Sequence, residues 1–262
     1  IAVFVLICAS RKSFLVFSGP PASGDWVVTG IESYYGDVIV LNGNLIVDGG
    51  GNLTFRGVTL KMNCTYDGQY NIEVRAGGKF YVLESSVITS VDPNNEFAFA
   101  VSNGSTFRMC NSELHECGWG SWETMGLHIT SDDAVIENSL ISHNAVGIRV
   151  RSSGVIRKNN ITANEEGIVV GGGVEGINPI IYNNHILGNN QTGISVGSCS
   201  ATIYNNTITS NLWAGICPHD HATPIIQNNT IKKNNLGIFC VFSSSPTISN
   251  NTIAENLDNG IS

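Results

Sequence analysis

Apolar residues recur along the chain in units whose spacing runs from 20 residues (Ile141 to Ile161) to 28 residues (Leu60 to Ile88). One apolar residue per unit forms a first column: Leu60, Ile88, Leu114, Ile141, Ile161, Ile186, Ile208, Ile231 and Ile253. A second column lies five residues before each of these: Phe55, Leu83, Met109, Ile136, Ile156, Ile181, Ile203, Ile226 and Ile248. Repetition at a fixed short period is typical of solenoid proteins.

Two further columns follow within each unit of the second half of the chain. The third is always preceded by glycine: Leu127, Ile148, Ile168, Ile194, Ile216, Ile238 and Ile261. The fourth lies two residues later: Ile129, Val150, Val170, Val196, Pro218 and Cys240. Four aligned columns predict that each unit places the same positions toward a common core.

Asparagine marks the bends between these columns. Pairs occur at Asn183-Asn184, Asn205-Asn206, Asn228-Asn229 and Asn250-Asn251, with Asn159-Asn160 close to the same place, and a single asparagine follows the first column at Asn144, Asn164, Asn189, Asn211, Asn234 and Asn256. Ile, Val and Thr favour strands, whereas Asn and Gly tolerate the left-handed backbone region. Each unit therefore predicts three short strands joined by asparagine and glycine bends.

A single coil of this kind buries too little apolar surface to offset its loss of conformational entropy. Coils that stack in register bond to their neighbours and place each column on itself. The isoleucines then form ladders inside, and the asparagine amides line up so that the NH₂ group of one coil can meet the carbonyl oxygen of the next. We expect the asparagines to form part of the scaffold.

The units at 203–216, 226–238 and 248–261, of the form I-x-N-N-T-I-x-x-N-x-x-x-G-I, resemble the repeat of pectate-lyase-like parallel β-helix proteins, in particular the NosD-like (CASH) group. The opening segments 24–28 and 41–47 look like the first coil of archaeal cell-surface β-helix proteins. The resemblance implies an all-β chain, a single-stranded right-handed parallel β-helix of about nine coils with an N-terminal cap. It says little about function, because this scaffold carries lyases, hydrolases, epimerases and inert surface proteins.

The domain organisation follows the regularity of the repeat. Residues 1–22 are predicted to be the remnant of a signal peptide, since residues 1–9 are apolar but too few to span a bilayer. Residues 23–60 would form the cap and the first coil, 61–125 longer irregular coils, and 126–262 regular coils that stop inside a strand. We therefore expect a secreted or cell-surface protein without a transmembrane helix in this fragment, with further domains of its own chain.

The composition limits the classes of macromolecule that the chain is expected to bind. Charged residues make up 13% of the chain and the net charge is −8, which argues against binding of a nucleic-acid backbone. Six cysteines follow the predicted leader, namely Cys64, Cys110, Cys117, Cys199, Cys217 and Cys240. Their even number is compatible with disulfides in an exported chain, and equally with small buried apolar side chains.

Candidate chemistry centres on Pro218-His219-Asp220, which resembles part of the Tyr-Gly-x-x-Pro-His-Asp signature of β-helical alginate C5-epimerases. The resemblance implies that His219 is the acid or base and Asp220 its partner. The chain departs from that signature, with Trp213 or Ala214 where the tyrosine would fall and Cys217 in place of an acidic residue. Since proline cannot donate to a strand ladder, we expect a local distortion of the coil at Pro218. The alternative is a polar turn with a surface histidine pair.

Two weaker candidates remain. Cys217, His219 and His221 form a possible soft-metal set if the backbone stays extended there. Trp119, Trp122 and Glu123, next to Glu113, His115, Glu116 and Cys117, form a possible carbohydrate-binding set; alternatively the tryptophans fold back over the coil.

These observations favour an extracellular or cell-surface β-helix that acts as a structural or carbohydrate-contacting protein without evident catalysis and without a cofactor. Its expected partners are polysaccharides or cell-surface glycans. The alternative is a polysaccharide-modifying enzyme of the C5-epimerase or lyase type with a site around His219 and Asp220. The sequence leaves open whether the chain is an enzyme.

Overall fold

The computed structural model describes residues 19–119, 124–173 and 176–262. These residues form strands, turns and bends without a helix. Accordingly, no helix in the described ranges is long and apolar enough to cross a membrane. Residues 1–18 of the predicted leader, and Trp122 and Glu123 of the predicted carbohydrate-binding set, lie outside the described residues.

The described strands, β1 to β30 in chain order, build three parallel sheets, A, B and C, with every third strand in the same sheet. Sheet A contains β1 (Trp26–Val28), β4 (Leu45–Val47), β7 (Asn71–Val74), β10 (Ala98–Val101), β13 (Leu127–Ile129), β16 (Val146–Val150), β19 (Glu166–Gly171), β22 (Ile194–Gly197), β25 (Ala214–His219) and β28 (Leu236–Ile238). Sheet B contains β2 (Ile31–Tyr35), β5 (Asn52–Arg56), β8 (Lys79–Leu83), β11 (Thr106–Cys110), β14 (Val135–Glu137), β17 (Val155–Arg157), β20 (Ile180–Tyr182), β23 (Thr202–Tyr204), β26 (Ile225–Gln227) and β29 (Thr247–Ser249). Sheet C contains β3 (Val38–Leu41), β6 (Thr59–Met62), β9 (Val87–Ser90), β12 (Glu113–His115), β15 (Leu140–Ser142), β18 (Asn160–Thr162), β21 (His185–Leu187), β24 (Thr207–Thr209), β27 (Thr230–Lys232) and β30 (Thr252–Ala254).

The predicted parallel β-helix is confirmed, with about ten turns rather than nine. The additional turn is the first one, because Ile39 pairs with Leu60 and so begins the first column one coil earlier than the sequence pattern indicated. The third column becomes the inward row of sheet A, in which Ile148 pairs with Ile168 and Ile194 with Ile216.

One residue of the second column was misplaced. The inward partner of Phe55 in sheet B is Val82, and Leu83 pairs with the half-buried Arg56 instead. The following bend is one residue longer than in the other coils, with Glu84 and Ser85 both in the left-handed region at φ 56° and 63°. Counting five residues back from Ile88 therefore reaches Leu83, whereas the residue that points inward is Val82.

The interior changes character along the axis. The early coils are filled by aromatic rings, with Phe55 and Phe80 in edge-to-face contact at a centroid separation of 5.2 Å. The later coils are filled by isoleucine, and Ile181, Ile203 and Ile226 are fully buried one above the other. The smaller isoleucine cross-section accompanies the shorter repeats of the second half.

The asparagines form two ladders, as predicted. In the first, between sheets B and C, the side-chain NH₂ of each residue donates to Oδ1 of the next along the series Asn159, Asn184, Asn206, Asn229 and Asn251. In the second, between sheets C and A, the same bonds join Asn144, Asn164, Asn189, Asn211, Asn234 and Asn256. In the pairs at 183–184, 205–206, 228–229 and 250–251 the second residue belongs to the ladder, while the first, such as Asn205 at φ 56°, takes the left-handed turn. In Asn159-Asn160 the ladder residue is the first, and Lys158 takes the turn.

The glycines that precede the third column at Gly147, Gly167, Gly193, Gly215 and Gly237 have a packing role instead of a conformational one, whereas Gly126 also has a positive φ of 72°. A Cβ atom at Gly167 would lie 2.4 Å from the carbonyl oxygen of Gly193 in the next coil, and one at Gly193 would lie 2.7 Å from that of Gly215. Glycine is therefore required by the close approach of successive coils. The six described cysteines are free thiols, and Cys64, Cys117, Cys199 and Cys217 are buried like apolar side chains.

Candidate functional site

A cleft of about 470 Å³ lies on the outer face of sheet A. Its polar lining residues come from four successive coils: Arg149 and Arg151, Glu166, Ser195 and Ser198, and His219 and Asp220. We call this cleft, with these lining residues, the sheet A cleft. Its volume falls within the usual range of small-molecule and sugar sites.

The parallel register explains why residues so distant in sequence meet here. The residue after each third-column position faces outward, and this outward row reads His128, Arg149, Val169, Ser195, Cys217 and Phe239. The outward position two residues further on is Gly171 in β19, Gly197 in β22 and His219 in β25. The two glycines leave room on the surface, and His219 fills it.

His219 leans over the preceding coil toward Ser195. A Cβ atom at Gly197 would lie only 2.4 Å from Cε1 of His219, so the imidazole ring packs directly on this glycine. The Nε2 atom then lies 3.1 Å from Oγ of Ser195, and Nδ1 lies 3.0 Å from Oδ2 of Asp220. The structure thus brings together both predicted candidates, His219 and Asp220, and adds a hydroxyl that the sequence did not reveal.

The distortion expected at Pro218 is confined to the ladder with the following coil, where the paired register ends at Ile216 and Ile238. Strand β25 runs unbroken from Ala214 to His219, and Pro218 pairs with Val196 on the preceding coil. On the following coil, β28 ends at Ile238, and Pro218 serves there only as an acceptor, for the backbone N–H of Val241 at 3.0 Å. The proline is tolerated because its carbonyl still accepts a bond from the following coil, and only the donor that proline lacks is missing from that ladder.

The chain turns immediately after His219, with Asp220 and His221 at φ 50° and 61°. This turn brings the Asp220 carboxylate back to the imidazole, and it sends His221 to a separate pocket with Ile177, Cys199 and Thr223. Cys217 is 3% exposed and packs among Ala214 and Leu236, and burial raises the pKa of its thiol to about 11. Cys217 is thus covered and His221 lies in another pocket, so the three residues of the predicted metal set do not converge. In the described ranges no group of three or more His, Cys, Asp or Glu side chains is arranged to hold a metal.

Charge in the cleft is concentrated on two arginines and one glutamate. Arg149 is 2% exposed, and both its burial and the neighbouring Arg151 lower the pKa of its guanidinium. Burial raises the pKa of the Glu166 carboxyl, an effect that the positive charges of Arg149 and His219 oppose. Guanidinium and carboxyl groups that line one open cleft are suited to binding the carboxylate and hydroxyl groups of a ligand.

The cleft has an apolar neighbour on the C-terminal side. Cys217, Ala214 and Leu236 form a small buried cluster outside the main core, covered by Phe239 and Val241. Trp213 contacts Phe239 edge-to-face at a centroid separation of 5.6 Å and is 41% exposed. An exposed indole beside a polar cleft offers a flat apolar surface of the kind on which sugar rings stack.

The second predicted cluster is dispersed. Trp119 packs on Gly68, whose Cβ would fall 1.7 Å from its indole nitrogen, although the side chain remains 41% exposed. Cys117 is fully buried beside Glu96, and the pKa of Glu96 is raised to about 7 by burial and by the negative charges of Asp67 and Glu116. The carbohydrate-binding set of Trp119, Trp122 and Glu123 stays a prediction, since two of its members lie outside the described residues.

Glu113 and His115, from the same cluster, face outward on sheet C instead. The Nε2 atom of His115 lies 3.0 Å from Glu113 Oε2, and its Nδ1 atom lies 2.8 Å from Ser142 Oγ. Ser142 is only 2% exposed and also contacts Nδ1 of His143 at 3.1 Å. This is a closed polar network on the scaffold that has no room for a ligand at the serine.

Sequence reasoning missed Arg149, Arg151 and Ser195. Each occupies an outward position of sheet A, where residue type varies from coil to coil, so the four apolar columns did not single them out. Writing the outward row of sheet A in register would have placed Arg149 two coils before Ser195, and Ser195 one coil before Cys217. That register, more than any motif, is the signal for the cleft.

Comparison with known proteins agrees with this architecture. A variant of the periplasmic alginate epimerase AlgG superposes with a TM-score of 0.71 at 16% identity, covering 86% of this chain and 59% of that one. A double variant of the same protein gives 0.67 at 15% identity, covering 86% and 60%. PfbA, a surface adhesin of Streptococcus pneumoniae, gives 0.47 at 11% identity, covering 92% and 84%. The chain thus spans about three fifths of the length of the AlgG structures it resembles.

No curated protein matches the chain. The family model described as "Right handed beta helix region" matches residues 43–196 and 174–262, which together make up most of the sequence. With the three parallel sheets and the two asparagine ladders, this match identifies the chain as a member of the right-handed beta helix family.

Proposed function

We propose that this protein is a secreted or cell-surface β-helix that binds an acidic polysaccharide in the sheet A cleft. The observation that carries the proposal is the convergence of Arg149, Arg151, Glu166 and His219 on one open cleft of the outer face. The chain as a whole has few charged residues, 13% of its length. A local concentration of guanidinium and carboxylate groups on such a surface is suited to a charged, hydroxyl-rich ligand.

Acidic sugars fit the chemistry of the cleft. Arginine binds a carboxylate through two parallel N–H···O bonds, and Glu166 and Asp220 accept hydrogen bonds from sugar hydroxyls. The exposed Trp213 supplies an apolar face next to the cleft. AlgG, which shares this fold, is an alginate epimerase, and alginate is itself a polymer of acidic sugars; at 16% identity that likeness concerns the fold alone.

Arg151→Ala is expected to weaken binding of alginate or polygalacturonate about tenfold or more, because a charge-assisted hydrogen bond contributes about 1.5–3 kcal/mol. Arg151 is chosen because it is more exposed than Arg149, so its loss perturbs the fold less. Isothermal titration with defined oligosaccharides at low ionic strength measures the change. Neutral glucans serve as the comparison ligands.

The matched control is Arg157→Ala. Arg157 carries the same charge on the outer face of sheet B, where it bonds to Glu137 and to the hydroxyl of Tyr182. The Arg157→Ala variant should therefore bind the polysaccharide with the affinity of the wild type. Equal affinity for acidic and neutral polymers, or an equal loss in the two variants, would contradict binding of the polymer by the cleft.

A second candidate function is modification of the bound polysaccharide by proton abstraction, as in a C5-epimerase or lyase. The specific observation in its favour is the Nδ1–Asp220 contact, which orients the His219 imidazole so that Nε2 faces the cleft. A general base so placed, with arginines to stabilise a carboxylate enolate, has the parts that such chemistry needs.

His219→Ala tests the second candidate. If the protein modifies the polymer, wild-type protein should produce epimerised units or unsaturated ends in alginate or pectin, detected by proton NMR and by absorbance at about 235 nm, and the variant should lose at least about a hundredfold in rate. His221→Ala, on the other side of the turn, should retain the activity. Unchanged polymer after prolonged incubation with the wild type would leave binding as the function of the cleft.

A further inference from the structure

We propose that Ser195, His219 and Asp220 form a nucleophilic triad that hydrolyses carboxylic esters, with acyl groups on sugar hydroxyls as the substrate class. Only the polysaccharide part of that substrate rests on the proposed function. The triad itself rests on two contacts, 3.1 Å from Ser195 Oγ to His219 Nε2 and 3.0 Å from His219 Nδ1 to Asp220 Oδ2. This is the hydroxyl–imidazole–carboxylate order of serine hydrolases.

Each member is held in place by the fold. Ser195 lies within β22, whose neighbours β19 and β25 fix its backbone on both sides. His219 ends β25 and is guided over Gly197, where a side chain of any size would displace the ring. Asp220 reaches back through its left-handed backbone conformation, which aspartate tolerates better than most residues.

The two contacts of the ring fit a neutral imidazole that carries its single proton on Nδ1. With Nδ1–H donated to the Asp220 carboxylate, Nε2 is left as an acceptor for the hydroxyl proton of Ser195. His219 is then a general base toward the nucleophile, and Asp220 is a positioning residue that holds the tautomer.

The triad opens to a ligand. Ser195 is partly exposed, the side chain of His219 is 27% exposed, and both line the sheet A cleft. Arg149 and Arg151 line the same cleft, and their positive charges favour the negative charge that develops on the ester oxygen.

A second network of a carboxylate, an imidazole and a hydroxyl lies on sheet C and can be compared with the triad. Glu113, His115 and Ser142 on sheet C repeat the carboxylate–imidazole–hydroxyl sequence with contacts of 3.0 and 2.8 Å. There the serine is 2% exposed and held by a second imidazole, that of His143. Hydrogen bonding of a serine to a histidine is therefore not sufficient. The two networks differ in access to a cleft and in the ring nitrogen that meets the serine, which is Nδ1 of His115 on sheet C and Nε2 of His219 on sheet A.

The reaction consumes one water per ester. Ser195 Oγ bonds to the acyl carbon while Nε2 takes the hydroxyl proton; the bond from the acyl carbon to the sugar oxygen then breaks, and the sugar oxygen leaves with that proton. Water attacks the acyl-serine, giving a proton to Nε2. The carboxylic acid departs as the proton returns to Oγ, and both enzyme groups are restored.

The first experiment measures hydrolysis of 4-nitrophenyl acetate by the full chain. Ser195→Ala and His219→Ala should each lower kcat/KM by a hundredfold or more relative to the wild type. Asp220→Asn should lower kcat by at least tenfold with little change in KM, the signature of a lost tautomer rather than a lost binding contact. Ser142→Ala, in the closed network, should retain wild-type activity, and circular dichroism of each variant verifies the fold.

The second experiment labels the nucleophile directly. A fluorophosphonate probe should modify Ser195 of the wild-type protein, as located by peptide mass spectrometry, and should fail to modify it in His219→Ala. Wild-type hydrolysis no faster than that of Ser195→Ala, or labelling that does not depend on His219, would overturn the triad.

The two proposals fail separately. The small ester requires no polysaccharide contact, so esterase activity without binding of acidic polymers would sink the proposed function and leave the triad in place. Binding without ester hydrolysis or labelling would sink the triad alone. Release of acetate from O-acetylated alginate, abolished in Ser195→Ala, would connect them.

Discussion

Replacing Ile203 with aspartate is expected to unfold the stack of coils. Ile203 is fully buried and lies between Ile181 and Ile226 in the inward row of sheet B. No basic group shares this row, so the new carboxylate would be unpaired inside the stack, at a cost of about 4 kcal/mol or more. Because a domain is stable by only about 5–15 kcal/mol, we expect a large fall in the urea midpoint and in the melting temperature followed by circular dichroism.

Thr209→Asp is the matched control. Thr209 belongs to the next strand along the chain, points outward on sheet C, and has Lys232 as its partner in the following coil. The added charge there meets solvent and a lysine, and we expect a change of less than about 0.5 kcal/mol. Similar melting temperatures for the two variants would contradict the assignment of inward and outward faces.

The interior of this protein is predictable because burial allows few residue types. Every coil must place an apolar side chain at the same inward points, so Ile208, Ile231 and Ile253 repeat at nearly constant spacing. The one misplaced residue, Leu83, shows the limit of this reasoning. There both neighbouring positions are apolar, and the length of a bend, not the residue type, decides that Val82 points inward.

The candidate site was predictable only in part. His219 and Asp220 are adjacent in sequence and form part of a recognisable motif, so the chain itself indicated them. Ser195 and Arg149 reach the same cleft from earlier coils, 24 and 70 residues before His219 as counted along the sequence. Their proximity depends on the summed lengths of the intervening bends, which vary between coils, and no local pattern encodes that sum.

The same argument separates the two asparagines of each pair. Both residues are polar and adjacent, and the sequence gives no reason to assign them different roles. The backbone decides: Asn205 takes the left-handed turn and is exposed, while Asn206 follows it into the interior and is 1% exposed. The repeat therefore contains one conformational and one hydrogen-bonding asparagine.

Asn206→Leu is expected to destabilise the protein about as strongly as a buried charge does. The amide of Asn206 donates to the carbonyl oxygen of Ile181 and to Oδ1 of Asn229, and its own Oδ1 accepts from both the backbone and the side chain of Asn184. Leucine has a similar shape but satisfies none of these groups. Leaving several buried donors and acceptors unpaired, at about 1–3 kcal/mol each, gives an expected loss of about 5 kcal/mol in the free energy of unfolding.

Asn205→Gly is the control, because it changes the neighbouring asparagine and leaves the ladder intact. Glycine adopts the left-handed conformation at φ 56° without steric cost, so we expect stability within about 0.5 kcal/mol of the wild type. Since the ladder bonds join consecutive coils, Asn206→Leu should also raise amide hydrogen exchange in β20 and β26, the sheet B strands of the coils on either side, before it does so at the ends of the stack. If Asn206→Leu and Asn205→Gly unfolded at the same urea concentration, the hydrogen bonds of the asparagine ladder would add nothing to the free energy of unfolding. The isoleucine rows alone would then have to hold the coils in register.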